Sequence, residues 1–207
     1  MSPATRRPDD TISPELFRRL AARSRSVRRF DESAAVGMDT LERFVALART
    51  APSGANRQPL KFWLSCDAAL GGDIFPCLSW AGYLKDWDGP APGERPAAYI
   101  VILHDTEVSE GYGCDHGIAA QTIMLGAAAE GLGGCIIGSV DRERLARVLG
   151  LPGRYRILLV LALGFPAETV VIEDTGDDGE IRYWRDTGGV HHVPKRPLSE
   201  LIVGKRG

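Results

Sequence analysis

The sequence predicts a single domain in which helices pack on a buried sheet, and three observations carry that expectation. At 207 residues the chain has the length at which one domain with a substantial core is the default. Between Asp115 and Glu130 a helical reading leaves almost no polar face, so that helix should be buried on most sides. The runs Ala97 to Leu103 and Ile157 to Leu163 are continuously apolar, as strands of a sheet covered on both faces are.

In chain order, residues 1 to 12 carry Pro, Asp and Arg with little apolar content and read as a flexible, loosely attached segment ahead of a domain spanning 13 to 207. Ser13-Pro14 reads as an N-cap and first helical residue, with Glu15 in the first turn and apolar Leu16, Phe17 and Leu20; this short helix ends near Arg23. Asp39 with Glu42 forms an aspartate version of the capping box, and Leu41, Phe44, Val45 and Ala48 recur at helical spacing up to the Ala51-Pro52 break. Lys61 to Cys66 reads as a strand. Trp80, Tyr83 and Trp87 follow at near-helical spacing, ended by the breaker cluster Gly89-Pro90-Ala91-Pro92-Gly93; they either plug a core or line a pocket as a lid. Beyond the long apolar helix, Gly131 suits its C-cap, Cys135-Ile136-Ile137 is a short strand, and Asp141 caps a helix through Leu149. After Phe165-Pro166 the chain turns acidic and Gly-rich through Gly179, and Ile181 to Trp184 returns to order. The stretch His191 to Leu198 has neither a helical nor a strand period, and reads as a tail wrapped over a surface.

Composition narrows the function classes. A net charge of −2 supplies no global basic field for nucleic acid, so the arginines must be read by position. No run approaches the roughly 18 apolar residues of a membrane span, and Met1 to Pro14 lacks the apolar centre of a signal peptide, so a soluble cytoplasmic protein is expected. Cys66, Cys77, Cys114 and Cys135 lack metal-ligand spacing and read as reduced, mostly buried thiols. Cys114-Asp115-His116 has no second ligand pair at workable spacing, so no metal is expected. Gly131-Leu132-Gly133-Gly134 ends a helix and enters a strand, the reverse of a dinucleotide fingerprint.

Two short segments carry the chemistry. The loop Ala51-Pro-Ser-Gly-Ala-Asn-Arg-Gln-Pro59 gathers polar donors and turn-formers, including Asn56, the only asparagine in the chain. Upstream, Arg25-Ser26-Val27-Arg28-Arg29-Phe30 supplies guanidinium and hydroxyl groups suited to a phosphate or an electron-rich ring edge. Taken alone, the arginines could be a solvated face and the loop a simple turn. Together they suggest a bound phosphorylated cofactor.

In that order and separation, the two motifs resemble the flavin-dependent nitroreductase family, supported by the Ala-rich helix ending Gly131-Leu-Gly133 and the terminal Pro194-Lys-Arg-Pro-Leu198. The resemblance runs from about Arg23 to Ile202. It implies an α+β fold with a central mixed sheet flanked by helices, and an intertwined homodimer whose C-terminal extension, from about 180 to 207, wraps the partner subunit. One FMN would sit in each of two pockets at the subunit interface. Carried over by position, Arg25, Ser26 and Arg28 would meet the flavin's phosphate side and pyrimidine edge, with Lys195 and Arg196 completing the phosphate site. Pro52, Ser53, Gly54 and Asn56 would approach the ring from the other subunit, and Ile137 and Gly138 would lie near its redox-active nitrogen. The implied activity is hydride transfer from NADH or NADPH through the flavin to a small electrophilic acceptor, nitroaromatic or quinone, by a ping-pong cycle. No side-chain acid is required, because donor and acceptor stack in turn on one flavin face. Trp80, Tyr83 and Trp87 would then stack on or gate flat acceptors. The alternatives are a specialised reductase of the same fold, acting on enones, halogenated aromatics or one metabolite, and a flavin carrier or redox sensor without turnover.

Overall fold

A computed structural model describes residues 12–207; the first eleven residues of the expected loose N-terminal segment lie outside the described part. The elements are α1 (Pro14–Arg23), β1 (Phe30–Asp31), α2 (Met38–Arg49), β2 (Leu60–Ser65), α3 (Ala68–Ile74), β3 (Ala98–Asp105), α4 (Asp115–Ala129), β4 (Gly133–Ile137), α5 (Arg142–Val148), β5 (Tyr155–Pro166), β6 (Val170–Asp174), β7 (Trp184–Arg185), β8 (His191–Lys195) and α6 (Leu198–Leu201).

The apolar run read as a strand from Ile157 becomes β5, the hub of a five-stranded sheet. It pairs antiparallel with β3, β4 and, at its far end, β1, while β2 lies beside β3. A parallel bridge between Ser26 and Gly134 adds the basic segment beside β4. Strand parity then makes two cores. Tyr99, Val101 and Leu103 of β3 pack with Ile74 of α3 and Leu145 of α5. Ala98, Ile100 and Ile102 pack on the opposite face with Leu41 and Phe44 of α2 and Ile123 and Ala127 of α4. This is the α+β arrangement of a sheet between helices. No helix among the described residues is long and apolar enough to cross a membrane.

The apolar helix α4 is buried on most sides, as its sequence requires. At Gly126 a Cβ would come within 2.7 Å of Leu47 Cδ1, so hydrogen is what lets α2 approach α4 there. Ser13 and Asp141 cap their helices through side-chain oxygens, accepting from the amides of Leu16 at 3.5 Å and Arg144 at 3.0 Å. Gly131 follows α4 with φ +85°, the left-handed turn that ends it.

Two local expectations are corrected. The Asp39–Glu42 capping box does not form: α2 begins at Met38 with Gly37 as its N-cap, and Asp39 sits in the first turn, where its charge suits the helix dipole. Val36 and Leu41, both buried in one core, bracket that start as a hydrophobic staple and move it ahead of the aspartate. The stretch His191–Lys195 is a strand, not a surface-draped tail. It runs parallel to β6 and antiparallel to β7 in a second, three-stranded sheet, and His191 is fully buried. Its partners lie upstream in the same chain, so no local period marks it. Beyond Lys195 the chain does present exposed apolar side chains, Leu198, Leu201 and Val203.

His192 staples this small sheet. Its ring stacks on Trp184 at 4.1 Å, with Nδ1 on the Glu173 carboxylate and Nε2 3.4 Å from Asp186 Oδ2. The hydrogen bond to Glu173, then that to Asp186, raises its pKa above the ordinary histidine value. A histidine whose folded pKa is raised contributes stability that is fully present below its unfolded pKa of about 6.5. That contribution is lost as pH rises through the folded value. Amide exchange in β8 should therefore accelerate from pH 6 towards pH 8 relative to its intrinsic rate, and His192→Gln should remove that dependence.

Candidate functional site

The loop after α2 is shaped by its own sequence. Pro52 ends the helix, and Gly54–Asn56 forms a single 3-10 turn. Ala55, Asn56 and Gln58 hold φ of 51°, 53° and 52°, a left-handed backbone that costs a non-glycine residue about 1–2 kcal/mol. The surroundings must impose that shape, and Asp115 at the start of α4 does so. Its Oδ2 accepts from the Ser53 hydroxyl at 2.6 Å and its Oδ1 from the Gly54 amide at 3.0 Å. Ser53 Oγ in turn accepts from the Gln58 amide at 2.9 Å, and the Gln58 side chain donates to Asn56 Oδ1 at 3.1 Å. Asp115 is buried, so Asp115→Ala should cost about 1–3 kcal/mol through the donors it leaves unpaired. Amide exchange at Gly54 and Gln58 should speed up more than in the β3–β5 core. A cleft of about 320 Å³ opens beside this loop, lined by Arg49, Pro52, Ser53, Lys61, Phe62 and Asp115.

The basic segment docks at the other end of α4. Val27 donates to the Gly134 carbonyl at 2.8 Å, which lays residues 25–29 along the start of β4. Arg25 Nη2 donates to the Ala21 carbonyl at 2.8 Å, while its buried Nε has no partner among the described residues. Arg28 lies 4.9 Å over the Tyr183 ring, with Nη1 3.2 Å from His191 Nε2. Under both, Glu168 Oε1 accepts from the Arg28 and Arg29 amides and Oε2 from Arg185 Nη2 at 2.8 Å. Arg185 stacks over Trp87 at 4.3 Å.

The other expected site residues are distributed around this frame. Ile137 is buried at the end of β4, followed by Gly138, which is exposed; a Cβ on Gly138 would meet only Leu159, at 3.7 Å. Lys195 and Arg196 are exposed where β8 ends, and Arg196 pairs with Glu200 at 2.8 Å. No helix forms between Cys77 and Ala98. Trp80 is buried against Phe75, Tyr83 is exposed and packs on Tyr183, and Trp87 is half-buried under Arg185.

The structure therefore joins Arg28 to the C-terminal sheet, but it does not join the arginines to the Pro-Ser-Gly loop within one chain. The loop is tied to the first residue of α4, and the basic segment to the strand that follows its last. Fifteen residues of helix separate those ends by roughly 22 Å. Asp115, Glu168, Tyr183, Arg185 and His191 all hold expected site residues in place without having been marked as site residues by the sequence. The one local signal among them is the acidic residue opening α4.

The expected site residues include donors suited to an anion at the start of β4 and an open stretch of backbone at its end. Arg25 and Arg28 are fixed guanidinium donors, Arg25 Nε is a buried donor without an acceptor among the described residues, and Gly138 offers backbone with space beside it. A phosphorylated, flat ring system with an electron-rich carbonyl edge, such as FMN, fits these donors.

The sequence pattern of the Nitroreductase family matches residues 21–76 and 94–165. Among curated proteins, the chain is similar to 5,6-dimethylbenzimidazole synthase of Rhodospirillum rubrum, with 26% identity over 173 residues covering 70% of this chain and 79% of that protein. It is also similar to iodotyrosine deiodinase of Thermotoga neapolitana, with 25% identity over 163 residues covering 71% and 87%. Among solved structures, an FMN-dependent nitroreductase of Clostridium difficile superposes with a TM-score of 0.59 at 22% identity, covering 75% of this chain and 90% of that one. The matched pattern includes the basic segment, the loop, α4 and β4. It omits residues 77–93 and everything after Phe165, and so leaves out Trp80, Tyr83, Trp87, Glu168 and His191.

Proposed function

This chain belongs to the nitroreductase family, and from that premise we propose that it is a homodimeric FMN oxidoreductase, taking hydride from NADH or NADPH and passing two electrons to a small electrophilic acceptor of the nitroaromatic or quinone type. The observation that carries the reading is the separation along α4. The loop is held at the first residue of α4 and the arginines at the strand that follows its last, ends roughly 22 Å apart in one chain, and a second copy that brings its loop to the first copy's arginines would complete two equivalent sites. The extension after Lys195, with its exposed leucines, would wrap that partner.

Bound FMN would supply two-electron hydride chemistry, since the flavin and not the protein carries the redox reaction. The chain's residues bind and tune. Arg25 and Ser26, with Lys195 and Arg196, hold the phosphate side. Arg28 sets a fixed positive charge at the pyrimidine edge, where negative charge accumulates on reduction, and so favours the reduced form. Pro52, Ser53, Gly54 and Asn56 approach the ring from the second copy on a backbone that Asp115 has already shaped. Ile137 and Gly138 bring backbone near the ring's redox-active nitrogen. Trp80, Tyr83 and Trp87 lie in the stretch outside the family pattern, where this chain's acceptor preference would be written.

A specialised reductase of the same fold is the second reading. It is favoured by the two curated relatives, whose names describe a synthase and a deiodinase. Purified protein should be yellow, dimeric by light scattering, and bleached by NADH or NADPH without air; reoxidation rates with nitroaromatics, quinones, enones and halogenated phenols then separate the two readings. Yellow protein that neither nicotinamide bleaches would point to a carrier or another donor. Colourless protein that cannot be loaded with FMN would overturn the proposal.

A further inference from the structure

We propose that His191 is a positioning residue of the flavin site, its Nε2 accepting from Arg28 Nη1 and so aiming the guanidinium at the flavin edge. The inference rests on the reading that Arg28 meets the flavin, and deepens it. A guanidinium is always protonated and offers only donors, so a ring nitrogen 3.2 Å from Nη1 must present its lone pair. That makes His191 neutral, with its proton on Nδ1, and rules out an imidazolium in this arrangement.

The surroundings agree from every side. His191 has no exposed surface, and its buried Nδ1 has no partner among the described residues. Its ring lies 5.3 Å from that of Tyr183, the same ring over which Arg28 lies, so guanidinium and imidazole share one aromatic support. The charged and titratable groups facing it are Arg28, Glu168, Arg185 and His192. Burial, then the Arg28 charge, lowers the His191 pKa to about 4, against a raising effect of Glu168. The lowered pKa keeps the ring in its acceptor state at neutral pH. Arg28 and His191 are 163 residues apart in the chain, and the family pattern ends before His191. The brace thus lies outside the matched pattern, on the C-terminal sheet.

His191→Leu and His191→Gln, compared with the native protein, test the proposal. Leucine fills similar volume and accepts nothing, whereas glutamine returns an acceptor oxygen. The expected result is FMN affinity about tenfold weaker and a lower flavin midpoint potential in the leucine variant, with both largely restored by glutamine. In flavin-free native protein, nitrogen NMR should show the Nδ1–H tautomer down to about pH 5, and Arg28→Ala should raise the His191 pKa. A native chain that binds no FMN would defeat the functional reading and this proposal with it. A native chain that binds FMN, alongside a leucine variant with unchanged affinity and potential, would overturn the positioning role alone. So would equal losses in the leucine and glutamine variants, because a merely structural ring has no use for an acceptor atom.

Discussion

Replacing Glu168 with Ala should lower stability by about 3–5 kcal/mol, the range for removing one partner of a buried ion pair. The Glu168 side chain is only 1% exposed and Arg185, its partner at 2.8 Å, 11%. Three donors converge on the one carboxylate: the amides of Arg28 and Arg29 and the Arg185 guanidinium. Alanine would leave all three short of an acceptor and bring three like charges, Arg28, Arg29 and Arg185, together without their counter-ion. Burial already lowers the Arg185 pKa, with Glu168 opposing that shift, so the orphaned cation would be costly. Glu168→Gln should fall between, since it keeps an oxygen for the amides and loses the charge. Combining Glu168→Ala with Arg185→Met should cost less than the sum of the two single changes, because the uncompensated charge is gone. Urea midpoints of the four proteins measure this directly. Additive losses would show that carboxylate and guanidinium do not act as a pair.

How much of this could be read beforehand follows from the range of the interactions. The apolar runs of β3 and β5 and the unbroken apolar surface of α4 declare burial residue by residue, and the caps at Ser13 and Asp141 involve neighbours three residues away. These local signals were legible. The start of α2 lies ahead of the Asp39 box because Gly37, with no capping side chain, is set there by Val36 and Leu41 in one core, a tertiary effect. Strand β8 was invisible because its pairing, not its composition, makes it a strand. The candidate site divides the same way. The arginines and the Pro-Ser-Gly loop stand out as motifs, while the groups that hold them are distant: Asp115 lies 62 residues from Ser53, and Glu168 lies 140 from Arg28. The resemblance to a known family names the residues proposed to face a ligand, but not those that hold them.

Arg28→Ala should weaken FMN binding about ten- to a hundredfold and lower the flavin midpoint potential, because a charge-assisted hydrogen bond of about 1.5–3 kcal/mol is lost. The two effects have one origin. A cation at the pyrimidine edge stabilises the reduced, negatively charged flavin more than the oxidised one, so its removal must weaken binding of the reduced form further. The affinity ratio of the two redox forms and the shift in potential are two measurements of a single quantity, and their agreement is an internal check. Arg28→Lys separates charge from geometry. Lysine keeps the positive charge, but it has no planar fork to lie over Tyr183 while donating to both His191 and a ligand. The potential should therefore fall less than in the alanine variant, while affinity stays well below native. Potentiometric titration with fluorescence binding of FMN decides this, and an alanine variant matching the native protein in both would remove Arg28 from the site.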